Sequence, residues 1–302
     1  MHDAADVAQA LSPVLTGRSA RAPFAGALSL AKQYPPGAAS FVFLAVVCLL
    51  ALFAPVVAPY DPERSTRGAA LLAPSAAHWF GTDNLGRDLL SRILHGGRIS
   101  LSVGIVVALV GTVAGACIGV FSAYAGGKTD LFIQRVVDSL SAFPALILAL
   151  LFMVVFGASV MNVVIALCIV GSPRVVRTVR SVALSVKESD YVLAARTLGA
   201  TRGRVVLQHV LPNCFTPVII LASATVGWAI LIESSLSFLG MGVPPNVPTW
   251  GGMLGGQAQQ YVRSAPWLAV FPGLVLSTTV LAINLLGDML RDVLDPRLRG
   301  TL

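Results

Sequence analysis

Long apolar runs alternate with short polar segments along the chain from residue 38 to residue 287. A bilayer-spanning α-helix needs roughly 20 apolar residues, and most of these runs reach or exceed that length. The uncharged stretch 139–173 is too long for one helix and contains turn-forming residues at 156–159, so we divide it between two helices. The pattern therefore predicts six spans. They are 38–59, 99–127, a third that begins before Asp138, a fourth that ends near Pro173, 210–232 and 267–287.

Prolines and glycines modify these spans. The pair Phe143-Pro144 predicts a kink in the third span, because proline removes a helical hydrogen bond. Gly111, Gly115 and Gly119 form a GxxxGxxxG pattern, which lets a second helix approach closely. We expect this pattern to serve packing within the chain rather than a special interface with another subunit.

Composition places the chain among integral membrane proteins. Hydrophobic residues make up 56% of it and charged residues 12%, against about a quarter charged in soluble domains. The net charge of +7 does not require a nucleic-acid partner, because lysine and arginine accumulate in cytoplasmic loops. The four cysteines form no CxxC motif and have no nearby histidine, so no metal site is expected. We expect an all-α, polytopic membrane protein with six transmembrane helices.

The distribution of basic residues orients the spans. With the amino terminus inside, the inner segments hold 15 of the 21 lysines and arginines and the outer loops six. This bias predicts that the two tails and segment 185–213, which we call the inner loop, face the cytoplasm. The first apolar run is too long for the core of a signal peptide, so we expect it to be retained. The expected organisation is a cytoplasmic tail 1–37, a first span with its outer loop 38–98, a core 99–290 that contains the inner loop, and a cytoplasmic tail 291–302.

The inner loop has the pattern of a helix, a hinge and a second helix. Ser185 and Glu188 have the spacing of a capping box, which predicts that the first helix begins there. Gly199 is expected to end it in a left-handed conformation, and Thr201 to cap a second short helix that Pro212 terminates. Apolar residues share one face of the first helix, and that face requires a partner. They are Tyr191, Val192, Ala195 and Leu198.

Two alanines in the inner loop are followed four residues later by a glycine and, thirteen residues after that, by a Leu-Pro pair. This pattern resembles the cytoplasmic coupling loop of bacterial ABC importer permeases. In that family the loop forms a helix that docks in a groove of the ATP-hydrolysing subunit. The resemblance assigns this contact to Tyr191, Ala194, Ala195, Leu198, Gly199, Arg202, Leu211 and Pro212.

Two positions depart from the family pattern. Leu193 stands where the family most often has glutamate, and His209 where it has an aliphatic residue. Leucine has no carboxylate, so it forms no charge pair with the ATPase at that point. The alternatives are an amphipathic connector without a partner and a DNA-binding helix-turn-helix. The latter needs a third helix and a free recognition face, for which the flanking spans leave no room.

A second motif lies in the outer loop and resembles the GTDxxGRDxxSR signature of one permease of the dipeptide and oligopeptide importer pair. Segments 237–242, 248–251 and 287–296 resemble the same family. Charged residues at this spacing also pair locally, and we favour a role in the shape of the loop over direct contact with a peptide. The signature residues are Gly81, Thr82, Asp83, Gly86, Arg87 and Asp88.

The sequence lacks a phosphate-binding loop of its own. Gly126, Gly127, Lys128 and Thr129 resemble the end of one, but Ser122 occupies the position of its first glycine. We therefore expect no cofactor in this chain and no hydrolysis of ATP by it. The resemblance implies that ATP and Mg²⁺ are bound by partner subunits.

The resemblance also implies a set of partners and a place in the cell. These are a second, homologous permease, two ATP-binding subunits and an extracytoplasmic peptide-binding protein, in a bacterial cytoplasmic membrane. Import of nickel, glutathione or another small solute on the same scaffold is the main alternative. A self-sufficient secondary transporter would carry internal repeats and broken helices with ion ligands at midplane. A membrane-embedded enzyme would need a catalytic cluster within the spans, and we find neither pattern.

Glu233 is the one acidic residue within the outward end of a span. A charge there is costly unless it is paired or lies beside water. Two interpretations follow. Either Glu233 contacts the transport pathway or a neighbouring subunit, or it is solvated at the level of the membrane interface.

Overall fold

The computed structural model describes residues 32–294. Within that range the only β-pairing is an isolated antiparallel bridge between Thr82 and Asp88, so the predicted all-α class is confirmed. The expected cytoplasmic tails lie mostly outside the described residues. The main helices are α1 (Pro35–Leu52), α2 (Ala54–Val57), α3 (Leu89–Val106), α4 (Thr112–Ala125), α5 (Gly127–Ser141), α6 (Ala145–Phe156), α7 (Val160–Lys187), α8 (Asp190–Thr197), α9 (Arg202–Val205), α10 (Leu211–Phe238), α11 (Trp250–Leu254), α12 (Gln257–Tyr261) and α13 (Trp267–Leu294).

Five helical segments of the described chain are long and apolar enough to cross a bilayer: α1, α3 continued by α4, α7, α9 continued by α10, and α13. The α5–α6 pair supplies the sixth predicted span if the two helices count as one, and they are bent by 91°. The bend falls at the predicted Phe143-Pro144 pair, where Pro144 is extended at ψ 133°. The expected kink is therefore a complete break in the helix.

The predicted start of the inner-loop helix is wrong. Ser185 lies inside α7, which continues past Pro173 to Lys187, and Glu188 follows its end instead of taking part in a capping box. The reason is packing, because Ala183 is buried and Val186 packs against the same cluster, so the helix continues past the local start signal. The next helix, α8, begins at Asp190.

The predicted hinge is confirmed, but the predicted end of the second helix is wrong. Gly199 has φ +87°, and the hydroxyl of Thr201 accepts a hydrogen bond from the Arg204 amide at 3.4 Å. Pro212 does not terminate a separate helix, because α9 runs through a π-helical turn at Val206–Val210 into α10. Pro212 lies inside this continuous helix, directly after the π-helical turn in which the Leu211 amide donates to the Val206 carbonyl.

Span boundaries elsewhere differ from prediction at their outer ends. The second span begins at Leu89 rather than at residue 99, because Asp88 caps α3 by accepting a hydrogen bond from the Ser91 amide at 2.8 Å. Helix α10 ends at Phe238 rather than at residue 232. Polar residues in these extensions are buried against other parts of the chain, so hydropathy alone does not place the ends.

The glycine pattern on α4 packs against α7 of the same chain, as expected. A Cβ atom built on Gly115 would lie 2.9 Å from the Val175 side chain, and one on Gly119 would lie 2.7 Å from the Val176 carbonyl oxygen. The buried side chains form three clusters, at the outer end, in the middle and at the inner end of the bundle. The inner cluster includes Val192 and so ties α8 to the spans.

Candidate functional site

Helix α8 is anchored to the rest of the chain by one apolar side chain. Val192 is 0% exposed and packs with Val120, Val179 and Val205, which belong to α4, α7 and α9. The hydroxyl of Tyr191 accepts a hydrogen bond from Nδ2 of the Asn213 side chain at 3.3 Å. Because α8 contacts several helices at once, a displacement of α8 must move them or break these contacts.

The ring of Tyr124 lies between the inner ends of three helices. The Lys187 ammonium lies 5.5 Å from its centroid and the Arg196 guanidinium 5.8 Å, both within the range of cation–π attraction. Lys187 also donates a hydrogen bond to the Ala123 carbonyl at 2.9 Å. These contacts connect α4, α7 and α8, and the sequence analysis missed them.

Three leucines of the inner loop are exposed among polar residues. Leu198 is 89% exposed, Leu207 is 66% exposed and Leu193 is 47% exposed. The sequence analysis missed Leu207, although an apolar residue close to Arg204, Gln208 and His209 is a signal that would have identified it. Exposed apolar side chains in a polar loop indicate a surface that another protein covers.

The predicted apolar stripe of α8 is only partly correct. Tyr191 and Leu198 are exposed and Ala195 is half-buried, but Val192 points into the chain, since it lies about 100° around the helix from Tyr191. The remaining predicted contact residues also differ in exposure. Ala194, Gly199, Arg202 and Pro212 are exposed, and Leu211 is half-buried.

Asp83 organises the outer loop, as the local-pairing interpretation predicts. Its carboxylate accepts hydrogen bonds from the amides of Leu85 at 2.8 Å and Arg87 at 2.9 Å, and from Nε of Arg87 at 2.6 Å. Arg92 approaches the same carboxylate at 3.7 Å. Asp88 differs from the expectation, because it accepts hydrogen bonds from Ser91 and lies 2.9 Å from Nδ1 of His78 rather than beside an arginine.

The other signature residues fix the backbone of the outer loop. Gly81 and Gly86 have φ +77° and +73°, and a Cβ on either would lie within 2.6 Å of a carbonyl oxygen of the loop. Thr82 is buried, donates to the Ala69 carbonyl and accepts from the Leu72 amide at 2.8 Å. The loop is joined to α13 by Trp267, whose Nε1 donates to the Thr82 carbonyl at 3.2 Å.

The interpretation of Glu233 as a solvated interface residue is wrong, because its side chain is 0% exposed in this chain. A contact with the transport pathway or a neighbouring subunit stays a prediction. The carboxylate accepts hydrogen bonds from the hydroxyls of Ser237 at 2.8 Å, Ser100 at 3.3 Å and Ser234 at 3.4 Å. A buried acid with several donors joins elements of the chain, in this case α3 and α10.

The segment between α10 and α13 packs directly onto this acidic group. The amide of Trp250 donates to Oγ of Ser100 at 3.4 Å, and the indole Nε1 donates to the Ile93 carbonyl at 3.0 Å. A Cβ on Gly251 would lie 2.2 Å from Cα of Ser234, so only glycine permits this approach. Between this segment and the outer loop lies a cavity of about 430 Å³. Among its lining residues are Asp83, Arg87, Arg92, Asn246 and Thr249.

Comparison with known proteins decides the family. Residues 115–300 match the family described as binding-protein-dependent transport system inner membrane component, and residues 32–74 match the N-terminal transmembrane domain of oligopeptide transport permease C. The chain belongs to this family of ABC importer permeases. It is therefore a multi-pass inner-membrane protein and a transport subunit.

Relatives of similar length carry several names. The chain is 36% identical over 282 residues to the dipeptide transport system permease protein DppC of Alkalihalophilus pseudofirmus, covering 93% of this chain and 92% of that protein. It is 42% identical over 270 residues to the di/tripeptide transport system permease protein DppC of Pseudomonas aeruginosa, covering 87% and 88%. It is 39% identical over 289 residues to the glutathione transport system permease protein GsiD of Pectobacterium atrosepticum, covering 95% and 96%.

A solved structure shares the fold. A chain of the MetNI methionine ABC transporter, in an inward-facing conformation, superposes with a TM-score of 0.57 at 18% identity, covering 68% of this chain and 98% of the other. At this identity the similarity supports the fold and nothing further. The predicted permease architecture is confirmed.

Proposed function

We propose that the chain forms half of the translocation pathway of an ATP-driven peptide importer, beside a second, homologous permease. The observation that carries the proposal is the inner loop, in which a helix, a glycine hinge and exposed leucines are anchored to the spans through Val192. The names of the relatives supply the cargo class, since two of them are permeases for dipeptides or tripeptides.

The inner loop is the proposed contact with the ATP-binding subunits. Leu198 and Leu207 offer apolar area that water solvates unfavourably, and covering it would stabilise the complex. ATP and Mg²⁺ would be held by those subunits, one per permease, and this chain would remain non-catalytic. When the ATPases close, α8 would move as a rigid element and carry α4, α7 and α10 toward the other access state.

Reconstitution tests this division of labour. We expect the purified chain alone to show no ATPase activity and no peptide accumulation in vesicles. Addition of the second permease, both ATPases and the binding protein is expected to produce uptake of a dipeptide that requires ATP. Uptake by this chain alone, driven by a proton or sodium gradient, would refute the proposal.

The proposed orientation places both termini and the inner loop in the cytoplasm. A reporter enzyme that is active only outside the membrane is expected to function when fused after Glu63 or Tyr261. The same reporter is expected to be inactive after Thr201 or Leu302. Activity after Thr201 would put the inner loop on the side that lacks ATP.

Glutathione is the second candidate cargo, because the GsiD relative covers as much of the chain as the peptide permeases do. Competition for uptake distinguishes dipeptide from glutathione as the cargo. Excess unlabelled dipeptide and excess unlabelled glutathione are compared as inhibitors of the uptake of a labelled dipeptide, with the partner binding protein present. Stronger inhibition by glutathione would assign the importer to that cargo.

A further inference from the structure

The inner half of α7 exposes a polar face. Arg174, Arg177, Thr178, Ser181 and Ser185 recur at helical spacing and are all exposed. The same stripe of the helix is apolar in the outer half, where Val163 and Leu167 are completely buried. The stripe changes from apolar to polar along the helix, so its outer half packs against other helices and its inner half stays exposed.

The bend between α5 and α6 supplies that change. Helix α6 packs along the outer half of α7, and its Ala149 and Met153 belong to the same buried cluster as Val163 and Leu167. Below Ala145 the chain turns away by 91°, so α6 does not extend along the inner half of α7, which α5 contacts through Ser141 and Asp130. The polar face begins where this cover ends.

The outer part of this polar face lies above the inner end of α4. Gly115 of α4 packs against Val175, and α4 continues without a charged residue to Ala125, about 15 Å further along its axis. An arginine exposed to lipid at such a depth is costly, whereas one that faces a water-filled cavity or a bundle interior is tolerated. Arg174 and Arg177 therefore indicate a hydrated face.

The two arginines have no acidic partner in the described part of the chain. Arg177 donates from Nη2 to the Ser141 hydroxyl at 2.8 Å, and no carboxylate of residues 32–294 lies within ion-pair distance of it or of Arg174. Arg180, one turn further along α7, differs because it is paired with Asp130 of α5. Two cations are thus left on a face that contains no compensating charge.

We propose that this face lines the inner half of the translocation pathway and that Arg174 and Arg177 bind the carboxylate of the passing cargo. The inference rests on the proposed function, because dipeptides, tripeptides and glutathione all carry a carboxylate. A guanidinium matches a carboxylate with two parallel hydrogen bonds. The hydrogen bond to Ser141 holds Arg177 against the end of α5, next to the bend.

Thiol labelling tests whether this face is hydrated and positively charged, and it does not require a measurement of transport. The four native cysteines, Cys48, Cys117, Cys168 and Cys214, are replaced by alanine, and Thr178→Cys is introduced into the assembled transporter. We expect an anionic methanethiosulfonate reagent to react faster than a cationic one. At a separation of about 10 Å in water, removal of each arginine by substitution with glutamine should lower this rate ratio about fourfold.

Arg135→Gln is the matched control, since it removes an exposed arginine of α5 that lies on a different side of that helix from Ser141. It should leave the rate ratio unchanged. A thiol at position 178 that does not react, or that reacts equally with both reagents, would overturn the proposal. So would loss of the ratio in vesicles of phosphatidylglycerol but not of phosphatidylcholine, because lipid phosphate would then occupy the arginines.

Protection by cargo tests the carboxylate. Alanylalanine is expected to slow the labelling of Thr178→Cys in the wild-type background, and its C-terminal amide to do so about tenfold less effectively. The Arg174→Gln, Arg177→Gln double variant should remove this difference and reduce ATP-driven dipeptide uptake about tenfold. Equal protection by acid and amide would overturn carboxylate binding.

Absence of dipeptide uptake by the unmodified complex would instead refute the peptide-importer proposal. The labelling ratios would still decide whether the face is hydrated and positively charged.

Discussion

The outer and inner ends of this permease differ in whether selected side chains find their partners within the chain. At the outer end, Asp83 and Glu233 are buried and fully supplied with hydrogen-bond donors from the same chain. At the inner loop, Leu198 and Leu207 are exposed, and the hinge at Gly199 has open space around it. Buried polar groups require partners in place, whereas exposed apolar groups are left for another molecule to cover. Asp83 and Glu233 have their partners within one chain, whereas Leu198 and Leu207 are not covered by it.

The comparison is tested most strongly at Trp250, where we expect the largest loss of stability. Its side chain is 1% exposed and donates a hydrogen bond to the Ile93 carbonyl at 3.0 Å. Trp250→Ala should lower the free energy of unfolding by about 3–5 kcal/mol through the cavity it creates. Thermal unfolding of the purified permease measures the change.

Trp79→Ala is the control for Trp250→Ala, because Trp79 also lies at the outer end but is 70% exposed. It should shift the unfolding temperature little. Similar shifts in the two variants would show that the outer end is not organised around the buried tryptophan.

Removal of the buried carboxylate should have the next largest effect. Glu233→Ala leaves the hydroxyls of Ser100 and Ser237 without their acceptor, which costs about 1–3 kcal/mol for each buried group. Glu233→Gln keeps an acceptor oxygen and should lose less. Thermal unfolding of both variants, with exposed Glu63→Ala as the control, separates the hydrogen bonds from the charge. A Gln variant as unstable as the Ala variant would contradict the role we give to the acceptor.

Sequence reasoning recovered the features that depend on local signals. Six spans follow from the thickness of a bilayer, and the hinge follows from Gly199, because few other residues adopt positive φ. The predicted capping box at Ser185 was wrong because tertiary packing overrode a local signal. A local start signal was present, but packing of Ala183 and Val186 against the buried cluster outweighs a cap.

The features that sequence reasoning missed depend on residues far apart in the chain. Glu233 is partnered by Ser100 and lies below Trp250, and no pattern in the sequence joins these positions. The contact of Tyr124 with Lys187 and Arg196 is of the same kind. Hydropathy identifies which segments enter the membrane, but it does not state which polar groups meet there.

Substitution of the hinge should affect the partnership more than the fold. Gly199 has φ +87°, and a Cβ atom added to it would meet no other atom within 4 Å, so the penalty of Gly199→Val is backbone strain of about 1–2 kcal/mol. We expect normal insertion and normal pairing with the second permease, but strongly reduced recovery of the ATPases and reduced peptide uptake.

Gly203→Val is the matched control, since Gly203 is exposed, helical and equally free of neighbours. It should leave ATPase recovery unchanged. Normal recovery and uptake in Gly199→Val would show that the glycine is only a permissive turn and that the hinge does not position α8.

The smallest effect is expected at Leu193, and it refines the comparison between the two ends. Leu198 is 89% exposed and Leu193 47% exposed, so neither supports the fold and both substitutions to alanine should leave the unfolding temperature unchanged. Leu198→Ala removes more exposed apolar surface than Leu193→Ala does. It should weaken recovery of the ATPases by about tenfold, as expected for a leucine that a partner covers. Leu193→Ala should weaken recovery much less, because about half as much of this side chain is exposed for a partner to cover. Co-purification of the ATPases with each variant, at equal amounts of permease, measures both. If Leu193→Ala lost as much ATPase as Leu198→Ala, the docking face would extend around α8 to the side of Leu193, and the unusual leucine would be a contact in its own right.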